Sequence, residues 1–446
     1  MSEIITLLNC ITPIIGIAKQ KRLKIIIQAL LSMRGRITML GLSRWSEKGG
    51  SYKTITRFFD STIDWGAINW LFIQTHCTKM EGSVYLLGGD EVVVSKAGKH
   101  SYGLDRFYSS IQNQVIKSLA FLNLSLISVE NRKAYPLSTK QIIKPNKEGC
   151  VKDKTPIKSQ KEKSKGKRGR PNGSSNKDKK NVELSPYLKF VQDALKEALT
   201  RINKHIAIVY FVFDGAFGNN SATQMVKRCG LDIISKLQKN SALSFPNEKK
   251  YRGIGSPKRY GDNIDYKNIP EKYLKSTVIE EDKNITTKIY QMKMLHRTFA
   301  DPLNIVIIQK INTKTGSSGH VTLFSSDLEL EYDKIVDYYS LRFQIEFVFR
   351  DAKQYWGMED FMNIKKKPIE NWANLSTFMV NFSHGLRNNS HMKEMSILDL
   401  KAHYHGLKYV KEVFKLLPEF ANEYLIQKVS AQIANLGAIH GYLKVA

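Results

Sequence analysis

The segment Ile206-Ala207-Ile208-Val209-Tyr210-Phe211-Val212-Phe213-Asp214-Gly215 sets eight apolar residues directly against a carboxylate and a glycine. An unbroken run of this kind, rich in β-branched and aromatic side chains, reads as a strand buried on both faces, like the central strands of α/β layers. A helical pattern from about Ser185 to Asn203 precedes it, and after an intervening helix comes a short strand, Asp232-Ile233-Ile234-Ser235. Upstream, Val84-Tyr85-Leu86-Leu87, Val92-Val93-Val94 and Val115 to Ile127 are further strand-like runs. The alternation predicts a mixed α/β sheet built from residues 81–239 and 331–365.

Outward from this core the pattern changes. Residues 1–80 read as helical, with Leu23, Ile26, Ile27, Leu30 and Leu31 at helical spacing, and Arg36 to Phe59 reads as two short helices around Gly49-Gly50 with Ser51 as an N-cap. Helix-turn-helix units share this layout, as do many helical pairs without a DNA role, so residues 1–80 are a candidate DNA-binding region. Residues 240–330 predict an all-β insertion, and a helical pattern, broken at Gly357, Pro368 and Pro418, runs from Glu331 to the end. The last stretch, residues 366–446, is the candidate dimerisation region.

Charge narrows the partner. The chain carries 69 Lys+Arg against 41 Asp+Glu, a net +28. Lys140 to Lys180 alone holds 15 basic and 4 acidic residues, 15 − 4 = +11, with almost no large apolar side chains, so residues 140–182 predict a flexible basic loop. A soluble chain this basic favours nucleic acid over lipid as its polyanion, and DNA contact is expected beyond the loop, since 28 − 11 = +17 remains on the rest. Four dispersed cysteines without a CxxC pair exclude a disulfide scaffold and an ordinary thiolate zinc site. The apolar stretch Leu7 to Ala18 is too short to span a bilayer, and no secretory signal or phosphate-binding glycine motif is present. A cytoplasmic protein without membrane or nucleotide cofactor is expected.

Three acidic positions carry the chemistry. Asp214 ends the central strand, where ligands of open α/β sheets collect, although a carboxylate there can equally cap the following turn. Asp90 follows Gly88-Gly89 between two apolar segments, and Glu91 must point to the opposite face, so only one of the pair can join Asp214. On a helix from Tyr332 to Gly357, Tyr339, Arg342, Glu346 and Lys353 share one face while Tyr338, Leu341, Ile345, Val348 and Ala352 form an apolar stripe. A solvated charged face is the plain alternative. Three converging carboxylates suit two hard divalent cations, Mg²⁺ or Mn²⁺, and hence phosphodiester displacement on a nucleic acid.

The spacing Tyr339-x2-Arg342-x3-Glu346-x6-Lys353 resembles the YREK signature of a large family of bacterial insertion-sequence transposases of the DDE type. Gly88-Gly89-Asp90, Phe211-Val212-Phe213-Asp214-Gly215 and Tyr338 to Glu346 resemble that family's three acidic blocks, and the likeness covers roughly residues 40 to 385. The resemblance implies a ribonuclease-H-like core in which Asp90, Asp214 and Glu346 bind two Mg²⁺ ions, with Mn²⁺ as a substitute. It further implies cleavage at transposon ends through a hairpin, transfer of the freed 3′-OH into target DNA, and a homodimer on two terminal inverted repeats. Tyr339, Arg342 and Lys353 would then hold phosphates beside the cut. Hairpin-forming relatives stack a flipped base on an insertion Trp, which this chain lacks between Trp70 and Trp356; Tyr290, His296, Phe299 and Trp356 are the substitutes considered. Finally, Arg168-Gly169-Arg170-Pro171 with its basic flanks looks like an AT-hook for the A·T minor groove, against the plainer reading of an unspecific cationic linker. The function expected is a cut-and-paste DNA transposase of the bacterial nucleoid. A structure-specific nuclease without strand transfer, or a domesticated DNA-binding protein without catalysis, are the alternatives.

Overall fold

The computed structural model describes residues 2–80, 82–144, 178–202, 204–248, 258–388, 392–415 and 423–434. Five helices open the chain: α1 (Ser2–Asn9), α2 (Thr12–Ser32), α3 (Met39–Trp45), α4 (Tyr52–Phe59) and α5 (Trp65–Phe72). Their starts are written in the sequence. Thr38, Ser51 and Asp64 each accept a hydrogen bond from a backbone N–H of the first turn, relieving donors that the helix itself cannot satisfy. The expected helical pair around Gly49 is thus present as α3 and α4.

Four strands follow: β1 (Tyr85–Ser95), β2 (Asp105–Ser109), β3 (Gln114–Ser128) and β4 (Lys133–Ile142). Helix α6 (Pro186–Ile202) leads to β5 (Tyr210–Val212), and α7 (Asn220–Lys227) leads to β6 (Asp232–Lys236). The eight-residue strand expected at 206–213 is shorter than its apolar run. It pairs with β1 only at Leu87↔Phe211 and Gly88↔Val212, and Val209 is exposed, so within the run Ile208 and Phe211 to Phe213 are the buried residues. Hydrophobicity marked the core segment, but the ladder set the strand's ends.

The order β4-β3-β1-β5-β6 is antiparallel among the first three and parallel from β1 to β6, a ribonuclease-H-like core. Parallel pairing obliges the chain to cross over, and α6 and α7 are the crossovers. The span 240–330 supplies β7 (Leu243–Pro246), β8 (Tyr260–Asn263), β9 (Leu274–Glu280), β10 (Ile285–His296), β11 (Leu303–Asn312) and β12 (Ser318–Ser325). These strands continue the core sheet, because β12 pairs with β6 at Leu323↔Lys236 through Ser325↔Ile234. Twelve strands among the described residues therefore make one sheet.

The chain closes with α8 (Tyr332–Leu341), α9 (Gln344–Gln354), α10 (Lys366–Asn388), α11 (Ile397–Phe414) and α12 (Glu423–Ala434). Helix α10 is buried along most of its length and packs against β4, α5 and α9. The basic tract also begins later than composition suggested, since Lys140 to Ile142 belong to β4; residues 145–177 lie outside the described residues.

Candidate active site

Two glycines admit the rest of the site to β1. A Cβ on Gly88 would stand 2.5 Å from Ile127 Cδ1 and 2.8 Å from Ile345 Cδ1, and one on Gly89 would stand 2.7 Å from the Phe213 ring. Because these positions carry no side chain, α9 and the end of β5 approach the strand closely, and Glu346, next to Ile345, is delivered to Asp90. Continuing the parallel register two residues past Gly88↔Val212 sets Asp90 level with Asp214. Asp214 follows the carboxyl end of β5, as expected, whereas Asp90 lies in the middle of β1, which continues to Ser95 along β3.

Asp214 caps as well as ends its strand: Oδ1 accepts from Ala216 N at 3.0 Å, at the head of the 3₁₀ turn Gly215–Phe217. The Ser235 hydroxyl on β6 donates to its backbone carbonyl at 2.6 Å, and Phe217 stacks on Phe213 with ring centroids 3.8 Å apart. The capping alternative is therefore real, and it fixes the carboxylate rather than removing it from the site.

Glu346 comes from a helix that is not continuous. The reading of one helix from Tyr332 to Gly357 is corrected: α8 ends at Leu341 and α9 begins at Gln344. Between them the bonds run to the third residue back, Arg342 N to Tyr339 O at 3.3 Å, Phe343 N to Ser340 O at 3.1 Å and Glu346 N to Phe343 O at 3.0 Å. A tighter turn of this kind rotates each residue further about the axis, so face arithmetic at 3.6 residues per turn fails across it. The apolar stripe survives, with Tyr338, Leu341, Ile345, Val348 and Ala352 all buried. The polar face divides.

Arg342 lies at its centre. One guanidinium nitrogen donates to Asp90 Oδ2 at 2.6 Å and another to Glu346 Oε1 at 2.9 Å, joining two segments 252 residues apart. Its side chain and that of Asp90 are each 16% exposed. Burial pushes the Asp90 carboxyl up to about 6, opposed by Arg342 and aided by the neighbouring charges of Asp214 and Glu346. Asp90 is thus within electrostatic reach of both Asp214 and Glu346. Tyr339 flanks it, and burial first, then Asp214, raises its phenol against the pull of Arg342.

Lys353 lies elsewhere. Its ammonium donates to Val93 O at 3.0 Å and pairs with Glu359 at 2.8 Å, and the side chain is only 15% exposed. It ties the end of α9 to β1 and faces neither Arg342 nor Glu346 through any contact in the structure.

Other side chains at the site gave no clear signal in the sequence. Tyr187, at the start of α6, donates to the Glu91 carboxylate on the opposite face from Asp90, and burial raises the Glu91 carboxyl. Nothing in a single Tyr forecast that contact. Phe343 and Phe347 pack edge to face at 5.2 Å on the exposed side of α9, with Arg350 over the Phe347 ring at 4.8 Å. An aromatic pair four residues apart and off the apolar stripe was the available clue. By contrast Tyr290, Phe299 and Trp356, three of the stacking substitutes, are core residues, and His296 is half-buried. Arg168, Gly169, Arg170 and Pro171 lie outside the described residues.

The donor set, three carboxylates, has the hard-oxygen chemistry of Mg²⁺ or Mn²⁺. Among the described residues no group of three or more His, Cys, Asp or Glu is gathered closely enough to hold an ion in the present arrangement. The positive charge between Asp90 and Glu346 is instead the Arg342 guanidinium, a resident cation where the carboxylates ask for one. The residues thus fit divalent ions in kind. No helix among the described residues is long and apolar enough to cross a membrane.

A family model described as DDE superfamily endonuclease matches residues 6–298, about two thirds of the chain. The matched span holds Asp90 and Asp214 and ends before α8, so Glu346 lies outside it. No curated protein matches the chain.

Proposed function

The chain belongs to the DDE superfamily endonuclease family, and on that premise we propose that it is a cut-and-paste DNA transposase of the YREK-signature insertion-sequence type with Asp90, Asp214 and Glu346 as its metal-binding triad. The observation that carries this reading is the bridge at Arg342: carboxylates from β1 and α9 meet at one guanidinium, while Asp214 caps the turn that follows β5, the strand paired in parallel with β1. A solvated charged face would not bury Arg342 and Asp90 together.

The triad would hold two divalent ions, Mg²⁺ with Mn²⁺ as a substitute, which supply positive charge at the attacking and leaving oxygens of the scissile phosphate. The protein's own residues do the positioning. Arg342 and Tyr339 stand at the mouth of the site and orient the phosphate beside the cut, the former through its bidentate fork. Lys353 holds α9 on β1 and so fixes the height of Glu346. If an end hairpin forms, the unstacked base rests on Phe343 or Phe347, which are exposed beside Glu346. Basic helices α3 and α4 and the tract around Arg168 to Pro171 contact terminal-repeat and target DNA, largely through phosphate. A homodimer through α11 and α12 brings two ends together.

Glu346→Gln is expected to retain binding to a duplex carrying the DNA that flanks the coding sequence and to lose Mg²⁺-dependent strand cleavage by about 10³-fold or more. Retained cleavage would overturn the triad. A pre-cut 3′-OH end that is joined to plasmid supports the transposase reading, whereas cleavage without joining leaves a nuclease.

A further inference from the structure

Arg342 is more than a neighbour of the triad. Its two bonds occupy Asp90 Oδ2 and Glu346 Oε1, and among the described residues no other cation is paired with Asp90, Asp214 or Glu346. A guanidinium is a wide, flat cation whose nitrogens each take a separate oxygen at 2.6 and 2.9 Å here. A Mg²⁺ or Mn²⁺ ion needs the same oxygens gathered about a single point, at roughly 2.0–2.1 Å for Mg²⁺. Fork and ion also repel each other, and Arg cannot withdraw by losing its proton at any ordinary pH.

The side chain therefore leaves only if another anion takes it. A DNA phosphate presents two oxygens with the spacing of a carboxylate and accepts the same bidentate pair. We propose that Arg342 is an internal counter-ion that keeps divalent ions out of the centre until a DNA phosphate draws it away, so that DNA and metal bind cooperatively. This rests on the reading of Asp90 and Glu346 as metal ligands. By linkage, whatever factor DNA adds to metal affinity, metal adds to DNA affinity. The consequence is a nuclease centre that stays unloaded away from its substrate.

The test is Mn²⁺ binding to the full chain, followed by electron paramagnetic resonance, with and without a short uncleaved duplex whose own Mn²⁺ uptake is subtracted. Wild type is expected to bind weakly alone and about tenfold or more tightly with the duplex, a coupling of ordinary allosteric size. Arg342→Ala is expected to bind tightly alone and to gain little from the duplex. Arg342→Lys, which keeps the charge but cannot span both carboxylates, should fall between and serves if the alanine variant melts early. Equal or weaker DNA-free Mn²⁺ binding by both folded variants overturns the proposal, as does an undiminished gain from the duplex. Asp90→Asn separates the two levels of the reading. If it abolishes Mn²⁺ binding while the Arg342 variants match wild type, the triad stands and the counter-ion role falls. If it binds Mn²⁺ as wild type does, the triad reading falls and takes the counter-ion role with it.

Discussion

Arg342 at the junction of α8 and α9 and Lys353 near the end of α9 are both cations of one helical stretch, yet they end in different surroundings. Arg342 sits at the tight junction of α8 and α9 and spends its charge on Asp90 and Glu346. Lys353 sits one residue before the end of α9 and spends its charge on Glu359 and the Val93 carbonyl. Both side chains are largely buried, so burial does not tell them apart. Their partners do: Arg342 bridges two carboxylates that belong to the candidate site, whereas Lys353 pairs with Glu359 outside it and with a backbone carbonyl of β1. A cation of one helical stretch can therefore serve the chemistry or serve the scaffold, and the partner reveals which.

Substitutions can break this contrast in order of expected size. Arg342→Ala should lower cleavage of a cognate end, per folded molecule, by about 10²–10³-fold, as loss of a charge-stabilising donor does, and the unpaired Asp90 should lower the melting temperature as well. A large fall in stability with normal cleavage per folded molecule would place Arg342 with Lys353 as scaffold. Gly88→Ala forces a methyl against Ile127 and Ile345, and an overpacked core typically costs about 1–3 kcal/mol. Denaturant titration should show that loss together with reduced cleavage, because Ile345 carries Glu346; unchanged stability would mean that α9 does not depend on the close approach. Lys353→Ala should destabilise by about 1–2 kcal/mol by stranding the Val93 carbonyl and Glu359. The slope of DNA affinity against salt should stay within error, whereas a slope reduced by about one unit would make Lys353 a phosphate contact after all.

The smallest effect concerns a third buried cation. Lys401 on α11 donates to Leu30 O and Tyr355 O and lies over the Trp356 ring, and burial lowers its ammonium to about 8. Between that value and the unfolded value near 10.5 the unfolded chain binds more protons than the native one, so this group makes stability rise with pH. Lys401→Met should remove that rise across the window. Melting curves of both proteins from pH 7 to 10.5 check it, and parallel curves would refute the burial effect.

Much of the site was legible. Gly88-Gly89-Asp90 and Phe213-Asp214-Gly215 stand out because a carboxylate directly after an apolar strand run is costly unless it is solvated, capped or bound. The capped start of α4 at Ser51 was equally plain, since capping is a local bond between residues three apart, while Thr38 and Asp64 emerged as caps only in the structure. Less legible were the ends of β5 and the break at Arg342, where a long-range ladder and a tightened turn override local pattern.

The sequence by itself determined the apolar runs, the capped helices, the acidic positions and a net +28 that calls for a polyanion. Those are properties of neighbours along the chain. Only the tertiary structure decided that β12 joins β6 to make one sheet, that Asp90 stands level with Asp214, that Lys353 is tied to β1, and that Arg342 stands between two carboxylates. Each of those depends on which segments distant in the chain lie side by side, and on the direction a side chain takes after a bend. Spacing in a sequence carries neither.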